Sequence, residues 1–139
     1  MFVLVDTPIW SLALRRSPTN LNRIEQNYST ALRELIQDGR AQLIGPVRQE
    51  LLSGVRHEKI FRELRDHLRA FDETPLEIGD YEEAAHIDNL CRSRGIAASA
   101  IDVLICAVAL GRNWEVFTVD HDFARYAKIV PLKVHRLTA

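Results

Sequence analysis

Two short apolar segments of this sequence are each followed by aspartates. The first is residues 2–5, followed by Asp6, and the second lies within Trp114–Phe123, which contains Asp120 and Asp122. Both runs are rich in strand-forming residues and too short for a helix, so both are predicted to be buried strands. In a parallel sheet the carboxyl ends of the strands share one edge, where open α/β sheets bind ligands. The two acidic ends therefore predict a site at that edge.

The rest of the chain alternates between helical and strand patterns. Helices are predicted after Thr7-Pro8, at Leu21–Asp38, from Pro46, at His57–Phe71, from Asp80 to Gly95, at Ser99–Leu110 and at His121–Ala127. Further strands are predicted at Ala41–Ile44, Thr74–Ile78 and Val130–Leu137. Strands separated by helices favour right-handed crossovers and a mostly parallel sheet. The predicted fold class is α/β, with three layers (α/β/α) and a sheet of about five strands.

Size and composition favour a cytoplasmic protein of one domain, residues 1–139. The chain has 139 residues, 47% of them hydrophobic, which is enough for a core without disulfides or metal staples. Its net charge of -1 argues against a sequence-blind nucleic-acid coat, although a local basic groove is not excluded. Cys91 and Cys106 have no metal-site spacing and are expected to be buried reduced thiols. No membrane span or signal peptide is expected.

Four acids that are far apart in sequence are expected to meet at the predicted edge: Asp6, Glu50, Asp102 and Asp120. Two of them follow strands, and the other two are placed in the first turns of helices that begin above strand ends. Because converging carboxylates repel one another, they must either take up protons or bind a hard divalent cation. Ligands that are all oxygen suit Mg²⁺ or Mn²⁺ better than zinc. The predicted reaction class is therefore metal-assisted phosphodiester hydrolysis.

Each of these residues also has an interpretation without catalysis. Asp6 could cap the next turn, and Glu50 could be a solvated helix residue. Asp102 could be the N3 residue of a capping box, which would explain it without any metal. Asp120 and Asp122 could be turn or N-cap residues.

Nearby polar residues are open to similar alternatives. Thr118 could orient Asp120 or a metal-bound water, or it could simply be a strand residue. Three arginines, Arg15, Arg16 and Arg112, could contact phosphates or be solvated.

Four segments, in this order and spacing, resemble the motifs of PIN-domain nucleases and, within them, of the VapC-type toxins of bacterial toxin–antitoxin pairs: VDTPIW, QELLSG, AIDVLICAVAL and FTVDHDF. The likeness covers nearly the whole chain. It implies a parallel five-stranded sheet and an endoribonuclease that depends on Mg²⁺ or Mn²⁺. It also implies a homodimer and a cognate antitoxin whose C-terminal segment blocks the site.

The resemblance also implies the site residues. The four acids of the family fall, in order, on Asp6, Glu50, Asp102 and Asp120. All of them except Glu50 are expected to bind the metal. Asp122 follows closely in the last motif and could replace Asp120 as the fourth acid. Thr7 and Thr118 match the hydroxyl residues that commonly flank the acids.

The predicted function is the toxin of a toxin–antitoxin pair, which hydrolyses RNA through a metal-activated water held by the clustered carboxylates. One alternative is a PIN-like protein-binding module without catalytic activity. A less favoured alternative is a receiver-like, phospho-accepting signalling domain with Lys133 on its last strand. Such domains need two adjacent acids after the first strand, and this chain has only Asp6 there.

Overall fold

The computed structural model describes residues 1–137. Its strands are β1 (Val3–Val5), β2 (Ala41–Gln42), β3 (Glu115–Phe117) and β4 (Lys133–Val134). Its α-helices are α1 (Thr7–Leu14), α2 (Arg23–Gln37), α3 (Gly45–Leu52), α4 (Glu58–Leu68), α5 (Ile78–Ser93), α6 (Ala100–Arg112) and α7 (Asp122–Tyr126). A 3₁₀ turn spans Pro18–Asn20. The predicted alternation of helices and strands is confirmed along most of the chain.

The strands form a parallel sheet in the order β2-β1-β3-β4. β1 is central, and its three residues are fully buried because helices cover the sheet. Val5 pairs in register with Phe117, so β1 and β3 end side by side. The predicted α/β class with a mostly parallel sheet is confirmed, and the residues that follow β1 and β3 are neighbours at one edge.

The predicted strand at Thr74–Ile78 is wrong. In its place the structure has an isolated parallel bridge between Leu43 and Glu73. The bridge cannot lengthen into a ladder because α3 begins at Gly45 on one side and Glu77 already serves as the N-cap of α5 on the other. The sheet within residues 1–137 has four strands, which is close to the predicted number of about five.

Helix α6, six of whose residues are buried, packs against β1 and β3 in the core. It runs two residues beyond the predicted end at Leu110, and Asn113 stops it by adopting the left-handed conformation (φ 59°). Cys91 and Cys106 are free and buried, as predicted. Among the described helices, none is long and apolar enough to cross a membrane.

Candidate active site

Asp6 lies where β1 passes into α1, and both of its carboxylate oxygens are hydrogen-bonded. Its N–H donates to the carbonyl oxygen of Phe117 (2.9 Å), which extends the contact between β1 and β3 by one residue. Oδ1 accepts the N–H of Thr7 (2.8 Å), and Oδ2 accepts the hydroxyl of Thr118 (2.7 Å). The residue is only 4% exposed. The carboxylate therefore has a fixed orientation at the end of the central strand.

Burial raises the pKa of Asp6 to about 6, because a buried carboxylate loses its hydration. The hydrogen bonds from Thr118 and Thr7 oppose this rise, and the negative charges of Asp102 and Glu50 add to it. Two other acids thus lie close enough to affect its titration. Near neutral pH a proton and a cation can compete for this group.

The chain after β3 turns through a set of hydrogen bonds that orders the last two acids. Thr118 Oγ1 donates to Asp6 and accepts the N–H of Asp120 (2.9 Å). Asp120 Oδ1 in turn accepts the N–H of Asp122 (2.9 Å), the first residue of α7. The hydroxyl of Thr118 therefore links the ends of the two central strands. Asp120 uses only Oδ1 to accept the N–H of Asp122, so its other carboxylate oxygen is not used in this turn.

Asp102 sits in the first turn of α6. Ser99 caps that helix, since its Oγ accepts the N–H of Asp102 (3.1 Å), but no reciprocal capping-box bond is formed among the described residues. The Asp102 carboxylate instead accepts the hydroxyl of Tyr126 (2.7 Å to Oδ2). Burial raises the pKa of Asp102, the Tyr126 and Ser99 hydroxyls lower it, and the charges of Asp120 and Asp122 raise it. A capping role alone does not account for this side chain.

These residues line one open cavity of about 340 Å³. Its lining consists of Asp6, Pro8, Glu50, Ala97, Ser99, Asp102, Asp120, Asp122 and Tyr126. None of these lining residues is Lys, Arg or His, so the five carboxylates face one another without a balancing positive charge. Oxygen atoms from Asp102, Asp120 and Asp122 lie within 4.8 Å of one another. Because the donors are all oxygen, the cavity fits a hard divalent cation.

The structure thus brings together all four acids expected from the sequence, and Asp122 with them. Glu50 reaches the cavity from the second turn of α3, not from the first turn as predicted, and it is exposed. The predicted metal ligands were Asp6, Asp102 and Asp120. The three acids whose oxygens lie within 4.8 Å of one another are Asp102, Asp120 and Asp122. The catalytic and metal-binding roles themselves stay predictions.

The two threonines and one tyrosine complete the site. Thr118 contacts both Asp6 and the backbone of Asp120, whereas the buried hydroxyl of Thr7 has no partner among the described residues. Tyr126 was not anticipated from the sequence. Its only signal was its position four residues after Asp122 in a predicted short helix, which places both on one face.

Two of the three candidate arginines are engaged elsewhere. Arg112 forms a bidentate ion pair with Asp80, and Arg16 pairs with Glu25. Arg15 lines a larger cavity of about 550 Å³, together with Arg56 and other residues near α4. None of the five clustered acids lines that cavity, so the larger cavity is not the candidate active site.

Solved structures with the same fold include several complexes. FitAcB from Neisseria gonorrhoeae aligns with a TM-score of 0.75 at 22% identity, covering 97% of each chain. VapBC2 from Rickettsia felis bound to a promoter DNA fragment gives 0.72 at 16%, covering 97% of this chain and 98% of that one. A toxin–antitoxin complex from Klebsiella pneumoniae gives 0.66 at 17%, covering 95% and 99%. At these identities the likeness shows the fold alone.

The sequence of the chain was also compared with curated proteins and with models of protein families. No curated protein gives a significant match to the chain. The family model of the PIN domain matches residues 3–129, a stretch that includes β1, α6, β3 and every acid that lines the cavity. Since this match extends over most of the chain, the protein belongs to the PIN domain family.

Proposed function

We propose that this chain is a metal-dependent endoribonuclease that acts as the toxin of a toxin–antitoxin pair. The observation that carries the proposal is a single cavity whose lining contains Asp6, Glu50, Asp102, Asp120 and Asp122 but no Lys, Arg or His. Such a concentration of negative charge is unfavourable unless protons or a cation relieve it. Membership of the PIN domain family supports a nuclease as the use of that site.

Asp102, Asp120 and Asp122 would hold a divalent cation, Mg²⁺ or Mn²⁺, with Asp6 beside them. When bound, such a cation supplies Lewis-acid stabilisation of the charge that develops on a phosphate and lowers the pKa of water. Asp6, with its pKa of about 6, is suited to accept a proton near neutral pH. Glu50, which is exposed and lines the same cavity, would orient the attacking water.

The flanking phosphates of the RNA need positive charge, and the acidic cavity offers none. Arg15 at the C-terminal end of α1 and Arg56 beyond α3 line the larger cavity and are the proposed contacts. Arginine suits this role because its guanidinium group binds phosphate oxygens in pairs. These contacts would hold the strand while leaving the acids free to bind the cation.

The antitoxin partner is proposed from the solved complexes of the same fold. One is described as a toxin–antitoxin complex, and another contains promoter DNA. We propose that this chain likewise pairs with a cognate antitoxin, forms a homodimer and acts on RNA in the cytoplasm as a single domain. The receiver-like alternative is incompatible with the PIN assignment. The clustering of all the acids favours the nuclease over the silent binding module.

The test is cleavage of end-labelled RNA by purified protein in MnCl₂ and in EDTA. Cleavage is expected only with the metal, and Asp6→Ala or Asp102→Ala should abolish both cleavage and growth inhibition on expression. Asp38→Ala is the matched control, because Asp38 is an exposed acid outside the cavity. Metal-independent cleavage, or undiminished toxicity in folded Asp102→Ala protein, would refute the proposal.

A further inference from the structure

Tyr126 is a buried tyrosine whose hydroxyl points into a cluster of acids. It is 1% exposed, and its Oη donates a hydrogen bond of 2.7 Å to Asp102 Oδ2. Its ring packs edge-on against Phe123 with 5.1 Å between the ring centroids. The ring is therefore held by the core while its polar tip reaches the cavity.

The connection runs through the short helix α7. Asp122 begins that helix and Tyr126 ends it, four residues later and so on the same face. One element thus supplies both a carboxylate of the group of three and the donor that orients another member, Asp102. The Ser99 hydroxyl also lowers the pKa of Asp102, but by less than the hydroxyl of Tyr126 does.

The hydrogen-bond donor to Asp102 is a neutral phenol, and its lack of charge matters for metal binding. An arginine or lysine in this place would also fix Asp102, but its charge would repel the cation. A phenol donates a hydrogen bond while staying neutral, and burial beside Asp102 raises its pKa further above the usual value. It occupies one lone pair of Oδ2, so the carboxylate keeps other lone pairs that can bind a metal.

From this geometry we infer that Tyr126 is a positioning residue for the divalent cation: its hydroxyl holds Asp102 in the orientation that binds the metal together with Asp120 and Asp122. The inference rests on the proposed function, because it needs the carboxylates to bind a cation. Outer partners of metal ligands typically contribute about 10- to 100-fold in metal affinity.

The test is Mn²⁺ binding measured by isothermal titration calorimetry on the purified full chain. Tyr126→Phe removes only the hydroxyl and is expected to weaken Mn²⁺ binding by about 10-fold or more. Saturating Mn²⁺ should restore most RNA cleavage, because Tyr126 acts through Asp102. Tyr28→Phe is the matched control, since Tyr28 is partly buried against Phe117 and lies outside the cavity. It should leave the affinity unchanged.

Phe123→Leu separates positioning from a general loosening of α7. It removes packing from the same ring but keeps the hydroxyl, so the unfolding midpoint in EDTA should fall while Mn²⁺ affinity changes little. All Mn²⁺ affinities are measured at a temperature well below the unfolding midpoint that each variant has in EDTA. Equal affinity in Tyr126→Phe and wild type, or equal losses in Tyr126→Phe and Phe123→Leu, would overturn the inference alone. Failure of the wild type to bind Mn²⁺ would overturn the proposed function with it.

Discussion

Thr118 donates a hydrogen bond of 2.7 Å to Asp6, a residue 112 positions away in the sequence. The contact exists because Val5 and Phe117 pair in parallel register, which places the next residue of each strand side by side. The same hydroxyl accepts the N–H of Asp120. It therefore ties the first acid of the chain to the segment that carries the last two.

Replacing Thr118 by Val should weaken the site while preserving the fold. The hydroxyl lowers the pKa of Asp6, so its loss should raise that pKa further and favour a proton over the cation. We expect Mn²⁺ affinity at pH 7 to fall by about 10-fold or more, measured by calorimetry. Thr118→Ser keeps the hydroxyl and is the matched control. Affinity that is equal in the Val and Ser variants would contradict the prediction.

The raised pKa of Asp6 predicts that the metal-free protein loses stability as the pH rises. Between the ordinary value of 3.8 and about 6, the folded state holds a proton that the unfolded state has released. Stability from this group is therefore present below pH 4 and lost through pH 6, by about 3 kcal/mol for a shift of about two units. Asp6→Asn should lack this loss.

The measurement is urea unfolding in EDTA from pH 4 to 7 for both proteins. Only the difference between their profiles is diagnostic, because Asp80 and Glu25 have lowered pKa values and act in the opposite direction. Parallel profiles for wild type and Asp6→Asn would show that Asp6 titrates normally.

Asp120 and Asp122 should both contribute to cation binding, since each supplies an oxygen to the group of three. Asp120→Asn and Asp122→Asn are each expected to weaken Mn²⁺ binding by about 10-fold or more. Each should also raise the unfolding midpoint in EDTA, because one of three mutually repelling carboxylates has been removed. Thermal unfolding with and without Mn²⁺ measures both effects. A variant that keeps full affinity would identify the acid that is not a ligand.

The ion pair of Arg112 with Asp80 is predicted to stabilise the fold without serving the site. Arg112 donates to both oxygens of Asp80 (2.8 and 3.0 Å) and to the carbonyl oxygen of Pro75, and its guanidinium lies over Trp114. Arg112→Ala should cost about 2–3 kcal/mol, because Asp80 is left buried without its partner. Denaturant unfolding measures this loss, and Mn²⁺ affinity should not change.

Arg92→Ala is the control for this prediction. Arg92 pairs with Asp88 on an exposed face of α5, where such pairs contribute little, about 0–1 kcal/mol. Equal losses of stability in Arg92→Ala and Arg112→Ala would contradict the structural role assigned to the buried pair.

Much of the fold could be predicted because its signals are local. The buried run before Asp6, the apolar helix that begins after Ser99 and the acid-ended strand near Asp120 each show in a few consecutive residues. The prediction of a strand at Thr74–Ile78 failed because the starts of α3 and α5 compete with strand pairing close to the bridge between Leu43 and Glu73. Such competition is decided by which partners reach the backbone, and no local pattern records it.

The acids of the site could be predicted from the sequence, but the hydrogen bond from Tyr126 that orients Asp102 could not. Asp6, Glu50, Asp102 and Asp120 were predicted to converge from topology alone. Tyr126 could not be predicted, because an aromatic residue in a short helix is ordinarily part of the core. Its contact with Asp102 joins α7 to the first turn of α6, and the relative position of two helices follows from tertiary packing.

The sequence by itself determined the identity of the elements and the end of each strand at which acids occur, because strand length, apolar pattern and capping are properties of neighbouring residues. Only the tertiary structure decided which oxygens meet. Asp122 lies with Asp102 and Asp120, and Thr118 and Tyr126 hold the carboxylates as neutral donors. The physical reason is that metal binding depends on distances of a few ångströms, which strand register and helix packing set between segments far apart in the chain.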